Sequence, residues 1–395
     1  RLAWIAPDDG VLNIWVRTVG EDDERLISHD RDRGIRSFTW AYDGRHLLYI
    51  QDRGGDENWR LHAVDVIDGG TRDLTPFEDV QAQIVRLHED HPDEALIALN
   101  RDNPELHDVY RLRLASGELE KVVENPGFVG WVADDSLHVR VGVAPTPDGG
   151  MVLMVRDTSD ADWRPLHQFC QEYSLGTAPI AFSADVYRLL AITSMDANAG
   201  RLAWIDVETG AVDVVAADDR YDVTTAWLHR ETHEPQLVGF LRERLEWTVL
   251  DDELADDLAV LTALDAGELD LVGRDLADAV WVVAYDHDDG PVRYYLYDRT
   301  AKQATFLFVH RPELDEFELA EMVPFELEAR DGLALHGYVT FPPGVDRAGL
   351  PAVLNVHGGP WARDTWGFHP EAQWLANRGY ACVQVNFRGS TGYGK

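Results

Sequence analysis

The sequence predicts a fold class that is largely all-β, a seven-bladed β-propeller followed by the N-terminal part of an α/β domain. Three observations lead to it. A strand pattern recurs about every 47 residues, β-branched and aromatic runs alternate with Asp-Gly and Gly-rich turns, and the pattern changes after residue 308. With 395 residues and 45% hydrophobic content, the chain can also bury a large core, which argues against disorder.

The recurring strand is an apolar-alternating segment that ends on a polar residue and is followed by a Gly or Asp turn. Its copies are LNIWVR ending at Arg17, LHAVD at Asp65, VYRLR at Arg113, MVLMVR at Arg156, LAWID at Asp206, WTVLD at Asp251 and YYLYD at Asp298. Because the spacing is nearly constant, these seven copies predict seven repeat units.

Each unit adds further strands, one predicted to be buried before the recurring segment and often a short one after it. The buried strands are HLLYI (46–50), ALIAL (95–99), RLLAI (188–192), QLVGF (236–240) and VWVVA (280–284). Four short antiparallel strands at this period describe one propeller blade, and blades must stack because one sheet cannot bury both faces. A large β-sandwich is the second-ranked fold for this region.

The Leu254, Leu258 and Leu261 spacing predicts a helical insertion between strands that serves packing.

The pattern changes after Phe308, where FELEARDGLALHGYVTFPPG predicts a hairpin around Asp331 and Gly332. An α/β succession follows: the apolar strand PAVLNV (351–356), of the kind buried in a parallel sheet, a short helix (371–377) stopped by Gly379, and the apolar strand YACVQVNF (380–387). We therefore predict a propeller over 1–315 and an incomplete α/β domain over 322–395. A sheet that ended at YACVQVNF would leave an unprotected edge, so we expect either a truncated sequence or a companion chain.

Charge and cysteine content narrow the function classes. The net charge of −36 argues against binding to nucleic acid or an anionic membrane, and no run of eighteen apolar residues is present. Of the 35 lysine and arginine residues, only three are lysines. A scarcity of lysine is expected both for a protein of a high-salt cytoplasm and for one encoded by GC-rich DNA. Cys170 and Cys382 form no disulfide or metal pattern, so we expect a reducing, cytoplasmic location, although the start at Arg1 leaves a removed leader open. His88 and His91 lack zinc-motif spacing, and we predict no metal and no cofactor.

The turn HGGP (357–360) carries the clearest chemistry. Acyl transfer needs donors aimed at the oxygen that becomes negative, and backbone N–H groups of glycine approach it without hindrance from a side chain. A glycine-rich turn after the third strand supplies one such donor in α/β-hydrolases. We therefore predict that Gly358 and Gly359 form part of an oxyanion hole, with His357 beside it as a strand-end residue; a plain tight turn is the alternative.

At these segments the sequence resembles the prolyl oligopeptidase family of serine peptidases, especially its acylaminoacyl-peptidase and dipeptidyl aminopeptidase-like branch. The segments that carry the resemblance are ARDGLALHGYVTFPPG, LNVHGGP and NFRGSTGYG, with GGDENWRLHAVD as weaker support. The resemblance implies an α/β-hydrolase domain after the propeller, a Ser-Asp-His triad, and a propeller that admits short peptides. It also implies that Tyr393, in the GYG loop, supplies a hydroxyl to the oxyanion as in some family members, whereas a backbone donor does this work in others, and that Arg388, Gly389 and Ser390 shape the loop.

The chain departs from the family pattern because it holds no Gly-x-Ser-x-Gly motif. No catalytic Ser, Asp or His is therefore assigned in it, and we expect the chain alone to be inactive. Our main hypothesis is a serine oligopeptidase acting on short peptides by acyl-enzyme chemistry, and the alternative is a non-catalytic propeller that binds a peptide or protein; an esterase would not need seven blades. The preferred peptide and the oligomeric state, homo-oligomer or companion chain, stay open.

Overall fold

Strands dominate the structure, a computed structural model that describes every residue from Arg1 to Lys395. They form eight sheets, and in the first seven sheets neighbouring strands are consecutive along the chain. Consecutive strands joined by short loops run antiparallel. The alternation of β-branched and aromatic runs with tight turns in the sequence therefore yields the up-and-down sheets that a propeller blade requires.

The first four sheets lie between Leu2 and Phe169. Their strands are β1 (Leu2–Asp8), β2 (Val11–Arg17) and β3 (Arg25–Leu26); β4 (Thr39–Trp40), β5 (His46–Gln51), β6 (Arg60–Asp65) and β7 (Thr71–Asp73); β8 (Ala82–Arg86), β9 (Glu94–Asn103), β10 (Leu106–Arg113) and β11 (Leu119–Val123); and β12 (Gly130–Ala133), β13 (Val139–Pro145), β14 (Met151–Val155) and β15 (Arg164–Phe169).

Three further antiparallel sheets follow a short helix, α1 (Gln171–Ser174), and a second helix stands between the last two of them. The elements are β16 (Ala178–Phe182), β17 (Arg188–Thr193), β18 (Arg201–Asp206) and β19 (Val212–Ala216); β20 (Val223–Leu228), β21 (Pro235–Leu241) and β22 (Leu245–Val249); a 3₁₀ turn (Asp252–Leu254) and α2 (Ala255–Leu264); and β23 (Glu268–Arg274), β24 (Val280–Asp286), β25 (Arg293–Asp298) and β26 (Gln303–Val309).

The recurring segment forms one strand of each of the first seven sheets, namely β2, β6, β10, β14, β18, β22 and β25, so the prediction of seven repeat units is confirmed. Two of these strands end earlier than predicted. β14 stops at Val155, and β22 stops at Val249 because Asp251 caps the 3₁₀ turn instead, accepting the Glu253 N–H at 3.0 Å. Residues with side chains that compete for backbone donors tend to close a strand and open a helix in this way.

The chain folds into two compact units, the first made of residues 1–174, 179–190 and 205–211 and the second of residues 175–178, 191–204 and 212–395. In the first unit, Leu48 and Leu61 of the second sheet pack with Ile97 and Leu99 of the third. In the second unit, the predicted helical insertion is present as α2, and its buried Leu261 packs in one cluster with strands of the sixth and seventh sheets. The units do not coincide with the predicted domains, whose boundaries stay a prediction.

The eighth sheet contains the predicted hairpin, strand, helix and strand. Its elements are β27 (Met322–Glu328), β28 (Ala334–Thr340), β29 (Ala352–Asn355), α3 (Pro370–Ala376) and β30 (Ala381–Asn386), after a 3₁₀ turn (Pro312–Glu316). β27 and β28 pair antiparallel and β29 pairs parallel with β30, in the order β27, β28, β30, β29. Gly379, with φ of 85°, ends the helical segment as predicted.

The expectation about the exposed edge was wrong. β30, the segment YACVQVNF, lies between β28 and β29, so it is paired on both sides. The exposed edge is β29, where Leu354 is 62% exposed although the sequence predicted a buried strand. The crossover through α3 carries the chain past β29 and inserts the next strand inward, which local sequence does not specify. No helix in the structure combines the length and apolar character needed to cross a bilayer.

Candidate active site

The HGGP turn lies between β29 and α3, and both of its glycines are exposed. Neither the Gly358 nor the Gly359 N–H donates a hydrogen bond to another group of the chain. A side chain on Gly358 would meet nothing within 4 Å, whereas Gly359 has φ of 126° and a Cβ there would lie 2.7 Å from the Trp361 nitrogen. Gly359 is therefore required by backbone conformation, and Gly358 leaves open space where a ligand oxygen could approach.

His357 joins this turn to the loop that follows β30. Its Nδ1 lies 2.8 Å from the Gly358 carbonyl oxygen and its Nε2 lies 2.8 Å from the Ser390 hydroxyl. A carbonyl only accepts, so Nδ1 carries the proton and Ser390 donates to Nε2. The ring also stacks on Phe387, with centroids 4.4 Å apart.

The pair of Ser390 and His357 resembles a nucleophile with its base, but it does not serve that purpose well. Ser390 is only 7% exposed, so its hydroxyl offers a substrate carbonyl little access. The residue lacks the glycine-flanked strand-to-helix turn that presents a nucleophilic serine. The hydrogen bond instead fastens two loops together, in agreement with the loop-shaping role that the resemblance implies for Ser390.

Tyr393 is half-buried and its hydroxyl is closely surrounded by donors. Arg363 Nη2 and Asn386 Nδ2 each donate to the phenolic oxygen at 2.7 Å. The ring of Tyr393 stacks on His336 with centroids 4.8 Å apart, and the Arg363 guanidinium carbon lies 4.3 Å from the centre of the same ring. Burial raises the pKa of Tyr393 above its ordinary value, while the positive charge of Arg363 acts in the opposite direction.

The residues predicted for the site come from two loops, 357–363 and 387–394, which the structure brings together. Three hydrogen bonds connect the loops: Ser390 to His357, Arg363 to Tyr393, and the Thr391 N–H to the Ala362 carbonyl at 3.0 Å. Gly358, Gly359, His357 and Tyr393 therefore belong to one constellation. The role of Gly358, Gly359 and Tyr393 as oxyanion donors stays a prediction, as does the place of His357 beside them.

Three residues of this constellation were missed by the sequence reasoning: Arg363, Asn386 and Asp222. Asp222 accepts from the Gly392 N–H at 3.1 Å and from the Gly200 N–H at 2.6 Å, and so holds the Tyr393 loop against the sixth sheet. Asn386 stands in the NFRGSTGYG segment, which was a signal for the loop but not for this side chain. No spacing rule connects Asp222 with a glycine 170 positions later.

Comparison with known proteins finds relatives that are named as peptidases. No family model matches it. Dipeptidyl aminopeptidase BIII of Pseudoxanthomonas mexicana is 38% identical over all of this chain, and dipeptidyl peptidase family member 6 of Caenorhabditis elegans is 28% identical over all of it. The chain spans 58% of the length of each of these relatives.

Solved structures with similar folds are also peptidases or related hydrolases. A prolyl endopeptidase structure has a TM-score of 0.68 at 14% identity, over 98% of this chain and 59% of that chain. A puromycin hydrolase has a TM-score of 0.68 at 18% identity, over 99% and 65%, and the acylaminoacyl peptidase of Pyrococcus horikoshii has 0.61 at 16%, over 97% and 61%. These similarities confirm the fold class, a seven-bladed propeller followed by the N-terminal part of an α/β-hydrolase domain. Together with the dipeptidyl peptidase relatives that align with the whole chain, they support the resemblance to the prolyl oligopeptidase family.

Proposed function

We propose that this chain provides the propeller and the oxyanion-binding loops of a serine-type peptidase that hydrolyses short peptides by acyl-enzyme chemistry. The observation that carries the proposal is the pairing of exposed glycine N–H groups at Gly358 and Gly359 with the linked hydroxyl of Tyr393. Donors fixed before the reaction stabilise the negative oxygen of a tetrahedral intermediate without reorganisation.

The substrate class follows from the relatives and the propeller. The proteins aligned with the whole chain are named as a dipeptidyl aminopeptidase and a dipeptidyl peptidase family member. That supports release of dipeptides over release of acyl amino acids or proline-ended fragments. The seven blades would restrict access to short peptides and exclude folded proteins. We place the protein in the cytoplasm, since both Cys170 and Cys382 are free thiols.

The proposal requires a nucleophilic serine, which these 395 residues do not hold in the expected motif. The natural gene product, purified from its source, is therefore the right material for the test. We expect a fluorophosphonate probe to label it and expect it to release dipeptides from dipeptidyl 4-nitroanilides. Tyr393→Phe should lower kcat by about 10²–10³-fold with KM nearly unchanged, because an oxyanion donor acts in the transition state.

An exposed glutamate outside these loops gives a matched control. Glu231→Gln, on the loop between β20 and β21, should leave both kinetic constants unchanged. A gene product that neither reacts with the probe nor hydrolyses any peptide anilide would refute the proposal. Binding of intact peptides by such an inactive product would support the non-catalytic peptide-binding propeller instead.

A further inference from the structure

A small cavity in the first unit is bounded by the loop between β3 and β4, by the end of β5 and by the loop that follows β5. Its volume is about 150 Å³, and its lining residues are Arg33, Gly34, Arg36, Ser37, Ile50, Gln51, Asp52 and Trp59. A cavity of this size holds one small group, with about the bulk of benzene. All of the lining residues belong to the first unit, and none of them belongs to the loops of the candidate active site.

A glycine bend brings the first of these loops to the cavity. Gly34 has φ of 74°, and a Cβ at this position would lie 3.1 Å from the Leu12 nitrogen, so conformation and space both require glycine. The next residue, Ile35, is buried, and its N–H donates to the Leu12 carbonyl at 2.8 Å. Because Ile35 is fixed in the core, the arginines on either side of the bend, Arg33 and Arg36, both line the cavity.

The two arginines differ in their partners. Arg33 Nε donates to Asp52 Oδ1 at 2.9 Å, and Arg33 Nη2 donates to Asp52 Oδ2 at 3.1 Å. Asp52 is only 3% exposed, so this bidentate pair is a fixed part of the cavity wall. Arg36 is exposed, and its guanidinium makes neither an ion pair nor a hydrogen bond within the chain. Arg36 is therefore the cation that a ligand can engage.

The absence of an acidic partner for Arg36 is notable in a chain with 71 acidic residues and 35 lysines and arginines. The carboxylates of the surrounding loops are engaged by other donors. Asp30 Oδ2 accepts from the Gly34 N–H and from Gln51 Nε2. Asp56 Oδ1 accepts from two backbone N–H groups of its own loop, each at 3.1 Å. The acids closest in the chain thus leave Arg36 uncompensated.

Three side chains that line the cavity have a donor group without an acceptor in the chain: the Arg36 guanidinium, the Ser37 hydroxyl and the Trp59 indole N–H. A planar carboxylate, with two oxygens that only accept, matches a guanidinium fork and a hydroxyl. The Trp59 ring and the Ile50 side chain supply apolar surface for the carbon atoms next to such a group. A phosphate fits less well, because its higher charge would face the buried Asp52 carboxylate with one uncommitted cation to balance it.

We propose that this cavity binds the carboxylate of a short peptide, with Arg36 and Ser37 as donors to its oxygens and Trp59 packed against the adjoining carbon atoms. The inference rests on the proposed function for its ligand class, short peptides, and adds a binding site whose residues all belong to the first unit. The carboxylate comes either from the C-terminus of the peptide or from an acidic side chain.

Peptide binding to the 395-residue chain tests the site without any catalysis. Tryptophan labelled with ¹⁵N gives one indole N–H resonance per ring, thirteen in this chain, and Trp59→Phe identifies the resonance of Trp59 by its loss. We expect trialanine or alanyl-glutamyl-alanine amide to shift this resonance on titration, and trialanine amide, which has no carboxylate, to leave it in place. A shift with trialanine assigns the site to C-terminal carboxylates, and a shift with the glutamyl peptide assigns it to acidic side chains. A resonance that responds to neither peptide, or equally to trialanine amide, would overturn the proposal.

Substitution of Arg36 tests the same site by affinity. Arg36→Met should raise the dissociation constant of the bound peptide by about 10–100-fold, because it removes the charged donor. Arg36→Lys should raise it less, since the charge remains while the fork is lost. Both variants should melt at the temperature of the unchanged chain, because the Arg36 guanidinium has no partner to lose.

Arg31→Met is the matched control. Arg31 stands in the same loop, pairs with Asp8 at 2.7 Å and does not line the cavity. The variant should leave the dissociation constant within about twofold of the unchanged value, because solvent and salt screen an exposed charge outside the cavity. Equal losses of affinity from Arg31→Met and Arg36→Met would show that the peptide responds only to the general charge of the loop, and the site would then be wrong.

The activity of the natural gene product separates this inference from the proposed function. Hydrolysis of dipeptidyl 4-nitroanilides together with peptide binding that does not depend on Arg36 would refute the carboxylate site and leave the peptidase intact. Carboxylate-dependent binding at Trp59 by a gene product that hydrolyses no peptide would refute the peptidase and leave the site intact.

Discussion

Two hydrogen-bond clusters in the second unit each surround one side-chain oxygen group that accepts hydrogen bonds. They differ in whether that central group also has a proton of its own to donate. Asp257, on α2, is fully buried and accepts from Tyr297, Arg299 and Lys302. Tyr393 accepts from Arg363 and Asn386. The carboxylate has no proton to give, so its cluster is closed. The phenol keeps one, so its cluster is open to an outside acceptor.

The closed cluster is suited to stability. The Tyr297 hydroxyl lies 2.8 Å from Asp257 Oδ1, and Arg299 reaches the same carboxylate through Nη2 at 3.1 Å and Asp278 through Nη1 at 2.7 Å. Burial and the hydrogen bond to Asp257 raise the pKa of Tyr297, which keeps the phenol protonated and donating. A buried charge surrounded by fixed partners ties α2 to the seventh sheet, and removal of that charge leaves its partners without an acceptor.

The largest expected effect is on folding, from Asp257→Ala. The substitution leaves two cations and a hydroxyl facing an apolar side chain, and it should lower the free energy of unfolding by about 3–5 kcal/mol. Tyr393→Phe should lower it by only about 1 kcal/mol, because Arg363 and Asn386 retain backbone acceptors. Urea unfolding followed by tryptophan fluorescence measures both.

Asp256→Ala, one position away on α2 and exposed, is the control for this comparison. It should change the unfolding free energy by less than about 0.5 kcal/mol. If Asp257→Ala proved no more damaging than Asp256→Ala or Tyr393→Phe, the distinction between a stabilising closed cluster and a functional open one would be wrong.

An intermediate effect is expected at the glycine pair beside the open cluster. Gly359→Ala forces an alanine to a φ of 126°, with Cβ 2.7 Å from the Trp361 nitrogen, and should destabilise the fold by roughly 1–3 kcal/mol. Gly358→Ala enters open space at an ordinary backbone angle and should change stability by less than about 0.5 kcal/mol. Thermal unfolding of the two variants measures the contrast, and equal melting temperatures would show that the turn does not have this conformation.

How far the sequence predicts this structure depends on whether a feature is set by neighbouring residues or by contacts between residues distant in the chain. The seven sheets were predictable because each recurring strand carries its own alternation and turn, and HGGP was predictable because its chemistry lies in adjacent residues. The order of β29 and β30 was not, because it depends on a crossover that strand composition does not encode. Arg363 was missed for the same reason, since its anchoring carbonyl at Leu241 is 122 positions earlier in the chain.

The smallest expected effect concerns Glu268, an acidic residue of the seventh sheet. It accepts hydrogen bonds from fewer donors than Asp257 or Tyr393 does. Its Oε2 accepts the Leu245 N–H at 2.6 Å, and it stands opposite Asp286 in the pairing of β23 and β24. Burial raises the pKa of Glu268, and it also raises the pKa of Asp286. Because the folded state then binds the Glu268 proton more tightly than the unfolded state, the contribution of Glu268 to stability is greatest below its unfolded value of about 4.5 and is lost as pH rises through the higher folded value.

Glu268→Gln removes this titration while keeping an oxygen to accept from Leu245. We expect the variant to match the unchanged protein in stability near pH 4 and to exceed it at pH 7, where the Glu268 carboxylate of the unfolded chain is ionised and folding must either desolvate that charge or take up a proton. Urea unfolding at several pH values between 4 and 7 measures the difference, with Glu231→Gln as an exposed control. A difference that stayed constant over this range, or grew as the pH fell, would mean that Glu268 is as well supplied with donors as Asp257, and the contrast between closed clusters and incompletely paired acids would then not hold.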